Sequence, residues 1–337
     1  MEYRPLGRSP LLISPITLGT MMFGGATDPA ESYRIIRDAR ESGINSIDTA
    51  DVYNDGQTER VVGEALAGER DHWVLASKVA NRMGKGPNAA GFSKKWILQG
   101  VEESLRRLQT DYLDIVYLHR DFPQQSLEEP IRALGDLMRE GKIRYYGLSN
   151  FRGWRIAEAV RMAQQLGVAA PVVIQPVYSL VNRVSEQEQI PAAREYGMGV
   201  ITYSPLARGV LTGKYRSMDD VPPDSRVARS DPRILATEWR EESLVVANAV
   251  RERAEARGCT AADFAMAWVL QNSLVTSTIA GPRTFDQWRS YLKALELKLD
   301  AEDEVFVDGL VPPGYASTHG YSDPAHRISG REPRLTI

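Results

Sequence analysis

The chain has 337 residues, 43% hydrophobic and 25% charged, ordinary proportions for a globular protein and enough for one sizeable enclosed core. Its 41 basic and 44 acidic side chains are interspersed, for a formal net charge of −3, so there is no polybasic strip for nucleic acid or anionic lipid. No apolar run approaches the roughly 18 residues of a membrane span, MEYRPLGRSP lacks an apolar leader core, and the single cysteine, Cys259, excludes an internal disulfide or a zinc cluster; a reducing cytoplasm fits.

In chain order, short β-branched runs alternate with amphipathic helical stretches. EYRPLGRSPLLISP predicts a small hairpin turning at Gly7. Eight strand candidates follow: ITLG (16–19), INSI (44–47), WVLASKV (73–79), LDIVYLH (113–119), IRYYGLS (143–149), VVIQ (172–175), GVITYS (199–204) and TSTIAG (276–281). The intervening helices carry their own punctuation. Asp28 offers an N-cap, with Pro29 at the first helical position, Glu31 placed to reach back and Gly43 at the exit. Ser93 is set to cap a helix whose Ile97, Val101, Leu105 and Leu108 share one face, and Ser126 with Glu129 repeats the reciprocal cap before a stop at Gly141.

Most strand-to-strand intervals are roughly 30 residues, the length of a βαβ unit, whose crossovers make parallel strands. Eight such strands predict an α/β fold of the (β/α)8 TIM-barrel type, one domain over residues 1–337 with the N-terminal β-hairpin at its base. An open doubly wound sheet is the alternative, but the turn after the first strand, LGTMMFGG, does not match GxGxxG, and GKGPNAAG (84–91) reads as a loop. The Pro-, Asp- and Arg-rich stretch from Ala207 to Arg240, after the seventh strand, is a long loop of the lid or clamp kind. The tail from Pro312 to Ile337 either folds over one mouth or stays mobile.

In such a barrel, chemistry collects at the C-terminal ends of the strands. NSIDTADVYNDGQTER (45–60) runs from a core strand straight into Asp48, Asp51, Tyr53, Asp55 and Glu59. Lys78 closes the third strand, His119 the fourth, Ser149 and Asn150 the fifth, Gln175 the sixth, and Tyr203 and Ser204 the seventh. Each has an ordinary alternative: an aspartate after a strand is a common turn residue, a loop tyrosine packs, and a strand histidine sits satisfied in a core. Lys78 is the odd one, since its ammonium must be paired or hydrated. Together these groups form an apparatus for polarising a carbonyl and giving it a proton. Asp48 holds Lys78 charged, Lys78 favours the Tyr53 phenolate and so lowers a pKa ordinarily about 10, and His119 orients the carbonyl oxygen. A source of hydride is what the set lacks.

GINSIDTADVYNDGQTERVVGEAL, LASKV, LDIVYLHR, GKIRYYGLSNF and YSPLARGVLTGKY resemble, in order and spacing, the signature segments of the aldo-keto reductases, NAD(P)(H)-dependent carbonyl reductases on a (β/α)8 barrel. The likeness runs from Leu6 to Pro313. It implies a tetrad of Asp48, Tyr53, Lys78 and His119, with Tyr53 as general acid. It implies that Ser149, Asn150 and Gln175 hold a nicotinamide carboxamide, that Tyr203 stacks on the ring, and that Ser204, Leu206, Arg208 and Lys214 clamp the pyrophosphate. Gly19, Thr20, Met21 and Gly281 belong to the same cofactor set. Arg283 matches the basic residue at an adenosine 2′-phosphate and Gln287 faces the adenine; a planar guanidinium suits a phosphate, so NADPH is implied ahead of NADH. Tyr291 departs from the pattern, standing where relatives place an asparagine, and exchanges an amide contact for a ring that can stack on adenine.

The implied substrate is a small aldehyde or ketone, walled by Met21, Met22, Phe23, Asp121 and Phe122, with Trp154 and Trp239 as further candidates. Two other readings stay open. Lys78 could form a Schiff base, as in lyases, although Asp48 would keep the amine protonated. The chain could also be a nicotinamide-sensing partner module, as are the potassium-channel β subunits that resemble this family. Oligomeric state is not legible.

Overall fold

In the computed structural model, which describes residues 1–326, eight parallel strands close into a barrel. They are β3 (Ile16–Gly19), β4 (Ser46–Asp48), β5 (Val74–Val79), β6 (Leu113–Leu118), β7 (Ile143–Ser149), β8 (Val173–Gln175), β9 (Gly199–Thr202) and β10 (Ser277–Ala280), with β10 pairing both β9 and β3. A two-stranded antiparallel hairpin, β1 (Arg4–Pro5) and β2 (Leu12–Ile13), precedes them. The helices that wrap the first six strand connections are α1 (Pro29–Glu41), α2 (Gln57–Ala65), α3 (Lys94–Leu108), α4 (Glu128–Arg139), α5 (Gly153–Leu166) and α6 (Gln189–Tyr196). The chain continues with α7 (Pro232–Ala236), α8 (Glu241–Ala256), α9 (Ala261–Gln271), α10 (Phe285–Lys293) and α11 (Ala301–Leu310). The eight predicted strands are therefore present, most of them trimmed by a residue or two, and no described helix is long and apolar enough to cross a membrane.

The two-residue period of a strand decides what each side chain meets. Val74, Ala76, Ile115, Tyr117, Val173 and Ile201 fill the barrel together with Leu6 and Ile13 of the hairpin, while Leu75, Val79, Val116 and Leu118 face the helices. Gly147 makes room for this filling: a Cβ there would stand 2.5 Å from Val173 and 2.6 Å from the Tyr117 ring. The hairpin seals the base, where Arg8 N–H donates to Gly197 O at 2.8 Å. Gly7 turns there with φ +61°, its Cα so close to the Gly197–Gly199 backbone that a Cβ would clash at 2.4 Å.

Three local expectations about helix starts divide. Asp28 accepts from Glu31 N–H at 3.0 Å and Ser93 accepts from Trp96 N–H at 3.2 Å, as N-caps should. The reciprocal halves are absent, because both glutamates serve neighbouring helices. Glu31 accepts from Phe285 N–H at 2.7 Å at the start of α10, and Glu129 accepts from Lys94 N–H at 2.9 Å at the start of α3. Ser126 accepts only from Glu128 N–H, at 3.1 Å, and α4 begins without a side-chain N-cap.

The long connection after β9 contains a short turn of 3-10 helix, Ala207–Thr212, and α7; α8 and α9 then occupy the place of a single crossover helix. The described part of the tail runs to the C-terminal mouth of the barrel. There Arg233 grips Asp323 with two hydrogen bonds, 3.1 and 2.7 Å, and Arg152 donates to His326 O at 3.0 Å. The rest of the expected tail, residues 327–337, lies outside the described residues.

Candidate active site

Strand parity brings the sequence-predicted groups together. Lys78 continues the inward series Val74 and Ala76, and His119 continues Ile115 and Tyr117, so both point into the barrel just above its packed layer. Lys78 is 1% exposed. Its ammonium donates to Asp48 Oδ1, to Thr49 O at 2.8 Å and to Tyr53 Oη at 3.2 Å. The other Asp48 oxygen accepts from Gln175 Nε2 at 2.7 Å. His119 meets the Tyr53 ring edge-on, with centroids 6.0 Å apart, and its buried Nδ1 has no hydrogen-bond partner.

Electrostatics assigns protonation states to this group. Burial works against the Lys78 ammonium, but the Asp48 carboxylate and the hydrogen bonds around it outweigh that penalty and raise its pKa. His119 is pushed well below the usual imidazole range, first by burial and then by Lys78, Arg120 and His326, so it is neutral and carries one N–H. Tyr53 corrects an expectation. Lys78 does pull its pKa down, yet burial is the larger effect and the net direction is up. The phenol therefore keeps its proton.

The run of carboxylates after β4 sorts by environment. Asp48 pairs with Lys78, and Asp55 is exposed in a turn where Asn54 and Asp55 both adopt positive φ. Glu59, fully buried, accepts from Ser77 Oγ at 2.5 Å and from Arg107 Nε at 2.6 Å. Asp51 is 1% exposed; one oxygen accepts from Val52 N–H at 2.7 Å and the other has no partner. Burial, and then Glu59, push the Asp51 carboxyl up to about 8, so it is largely protonated at neutral pH.

Asp48, Tyr53 and His119 open onto a cavity of about 680 Å3. Each residue predicted to meet a cofactor lines it. Gly19, Thr20 and Met21 enter from the end of β3, where Thr20 N–H and Oγ1 tie to Asp48 O at 3.1 and 2.9 Å. Ser149, Asn150, Gln175 and Tyr203 stand at the ends of their strands, joined by Ser149 Oγ donating to Gln175 O at 3.0 Å and Tyr203 Oη to Asn150 Oδ1 at 2.7 Å. Ser204, Leu206, Arg208 and Lys214 border it from the long loop, and Gly281, Arg283, Gln287 and Tyr291 from the segment after β10. The loop backbone is strained here: Ser204, Ala207 and Arg208 have φ of 58°, 47° and 55°.

The far end of this cavity is strongly cationic. Burial lowers the Lys214 pKa, and Arg226, Arg283 and Arg229 lower it further. Asp231 pairs with Arg226 at 3.2 Å and Asp224 also lines this end, while Arg283 has no carboxylate partner among the described residues. Such a concentration of like charge around a cleft is built for a ligand with several negative charges. A dinucleotide's phosphates meet that requirement, and the cavity is within the roughly 300–1,000 Å3 of ligand sites, so the residues fit a nicotinamide cofactor.

The model of the aldo/keto reductase family matches residues 15–310. The chain belongs to this family. It is 37% identical over 335 residues to an uncharacterized oxidoreductase, YrpG, of Bacillus subtilis (strain 168), covering 96% of this chain and 100% of that one. It is also 36% identical over 302 residues to a probable voltage-gated potassium channel subunit beta of Oryza sativa subsp. japonica, covering 88% and 92%. A probable voltage-gated potassium channel subunit beta of Arabidopsis thaliana is 35% identical over 303 residues, again with 88% and 92% covered. Membership places the chain among oxidoreductases that generally use nicotinamide cofactors.

For this aldo/keto reductase, several substrate-wall expectations fail. Met21 and Met22 line the cavity, but Phe23 turns fully into the core. Asp121 is held by Arg155 at 3.0 Å and Phe122 packs on Phe92 at 5.1 Å, neither reaching the cavity. Trp154 lies exposed on α5, and Trp239 packs edge-on against Tyr215 at 5.0 Å. Conversely, sequence reading missed Asn81, Arg226, Arg229, Arg233 and His326, all of which line the cavity. Their available signal was the spacing of Arg226, Arg229 and Arg233, three and four residues apart in the clamp loop.

Proposed function

We propose that this aldo/keto reductase family member reduces an aldehyde or ketone to the alcohol with NADPH. One observation carries the reading: a buried chain from Asp48 through Lys78 ends at a protonated phenol, Tyr53, beside a neutral His119 at the foot of a cavity with a cationic far end. Ser149, Asn150, Gln175 and Tyr203 would hold the nicotinamide end, and Arg208, Lys214, Arg226, Arg229 and Arg283 the phosphates. Bound there, the reduced nicotinamide supplies a hydride for the carbonyl carbon.

The chain's own residues supply the rest. His119 offers its single N–H to the carbonyl oxygen and fixes its direction. Tyr53 Oη gives that oxygen its proton, and the nearby Lys78 ammonium stabilises the phenolate left behind. The raised phenol pKa keeps this proton in place through the neutral range. Lys78 is an unsuitable Schiff-base nucleophile because its charge is held by Asp48 and its donors are engaged. The lone cysteine and small-molecule site suit a reducing, cytoplasmic setting.

A second reading, a cofactor-binding partner module with little turnover, is favoured by the channel-subunit names of two relatives. Loss of NADPH absorbance with a panel of aldehydes and ketones separates the two. Wild type should turn over, and Tyr53→Phe should bind NADPH normally by fluorescence while turnover falls by about 10²–10⁴. Near-normal turnover in Tyr53→Phe would remove the phenol as proton donor. Tight NADPH binding without turnover across the panel favours the partner module.

A further inference from the structure

Part of the cavity wall has no role in the cofactor reading. Arg120 and His326 both line the cavity, and Arg120 directly follows His119, which stands at the foot where the carbonyl is read to bind. Arg152 joins them through the tail: its Nη2 donates to His326 O at 3.0 Å, and Arg120 Nη2 donates to Ala325 O at 3.4 Å. Carbonyl oxygens fix these guanidiniums without neutralising them. Asp323, the nearby carboxylate, is occupied by two hydrogen bonds from Arg233, and Asp121, next to Arg120 in sequence, is taken by Arg155.

The charges at this mouth are unevenly matched. Asp323 and the buried Glu238 both act on Arg233, whereas among the described residues neither Arg120 nor Arg152 has an ion-pair partner. His326 does not add to the excess, since burial lowers its pKa and the three arginines lower it further against the opposing pull of Asp323. A neutral carbonyl compound would leave both charges without a counter-ion. A guanidinium fork, by contrast, matches the two oxygens of a carboxylate or phosphate, and Arg120 stands exposed on the cavity wall where such a group can reach it.

We propose that the substrate is an aldehyde or ketone bearing an anionic oxyacid group, carboxylate or phosphate, which Arg120 holds at the mouth while the carbonyl lies at Tyr53 and His119. The inference rests on the carbonyl-reductase reading and names the substrate class for that site.

The test compares kcat/KM for 4-carboxybenzaldehyde, 4-formylphenyl phosphate and methyl 4-formylbenzoate with NADPH. The ester is more electrophilic at its aldehyde than the carboxylate, so a preference for the carboxylate reports binding rather than intrinsic reactivity. At least one anion should exceed the ester, and the better of the two identifies the oxyacid. In Arg120→Gln the anion-to-ester ratio should fall by about tenfold to a hundredfold, the scale of one charge-assisted hydrogen bond. Arg120→Lys should recover part of it, which a mere folding defect would not allow. Reduction of the ester as well as or better than both anions, or an unchanged ratio in Arg120→Gln, overturns the anionic substrate and leaves the reductase standing. No NADPH-dependent turnover of any of the three overturns both.

Discussion

At the foot of the cavity, one ammonium, Lys78, is surrounded by a carboxylate, a carbonyl and a phenol. At the far end, Lys214, Arg226, Arg229 and Arg283 mainly confront one another. The first arrangement raises the pKa of its lysine and the second lowers that of Lys214, although burial opposes the charged form in both. Burial alone therefore does not set the direction of a shift; the counter-charge does. A cation matched within the chain is part of the fold, whereas one matched only by a ligand is a binding site waiting for its anion. The two should respond differently to truncation.

A large effect at any single pH should follow from breaking the matched end. Lys78→Met leaves the buried Asp48 with the neutral amide of Gln175 as its remaining side-chain partner, and losing one member of a buried pair costs about 3–5 kcal/mol. Urea denaturation should show that loss, and the double variant Lys78→Met/Asp48→Asn should recover much of it. A loss below about 1 kcal/mol would mean the pair is hydrated and contributes little.

The unmatched end should do the reverse. Arg283→Gln removes a guanidinium without orphaning a carboxylate, so unfolding free energy should stay within about 0.5 kcal/mol of wild type. NADPH affinity should fall by about tenfold to a hundredfold, and NADH affinity much less, if the guanidinium meets a 2′-phosphate. Fluorescence titration of both cofactors measures this. Equal losses would remove the 2′-phosphate assignment and leave only a general phosphate clamp.

The two ends also differ in how far sequence revealed them. The matched end was legible because it lies on strands: the inward parity that sets Val74 and Ala76 in the core also aims Lys78, and Ile115 and Tyr117 aim His119. The barrel itself followed from the same alternation and the βαβ spacing. Arg226 and Arg229 sit in a long connection with no periodicity to orient them, so their convergence on Lys214 depends on how the loop folds. Glu31 and Glu129 misled for a related reason: a cap is read locally, but each carboxylate found a backbone N–H on another helix. The raised Tyr53 pKa was hidden because sequence shows the neighbouring lysine and not the depth at which the pair is buried.

Asp51 probes the boundary between these cases, a buried acid close to Lys78 whose free oxygen finds no donor. Its carboxyl titrates near 3.8 when unfolded and at about 8 when folded. Between those values the folded protein holds a proton that the unfolded chain has released, so raising the pH draws the equilibrium toward unfolding. The native state should therefore lose stability through this window at up to about 1.4 kcal/mol per pH unit from Asp51 alone, and no further above it. Asp51→Asn keeps the shape and cannot ionise, so its advantage over wild type should widen from about pH 4 to about pH 8 and then hold steady. Urea midpoints across that range measure the gap. If the two curves run parallel, the Asp51 carboxylate has acquired a donor in solution, from Lys78, Arg107 or water, and the matched end of the cavity extends one residue deeper than its hydrogen bonds indicate.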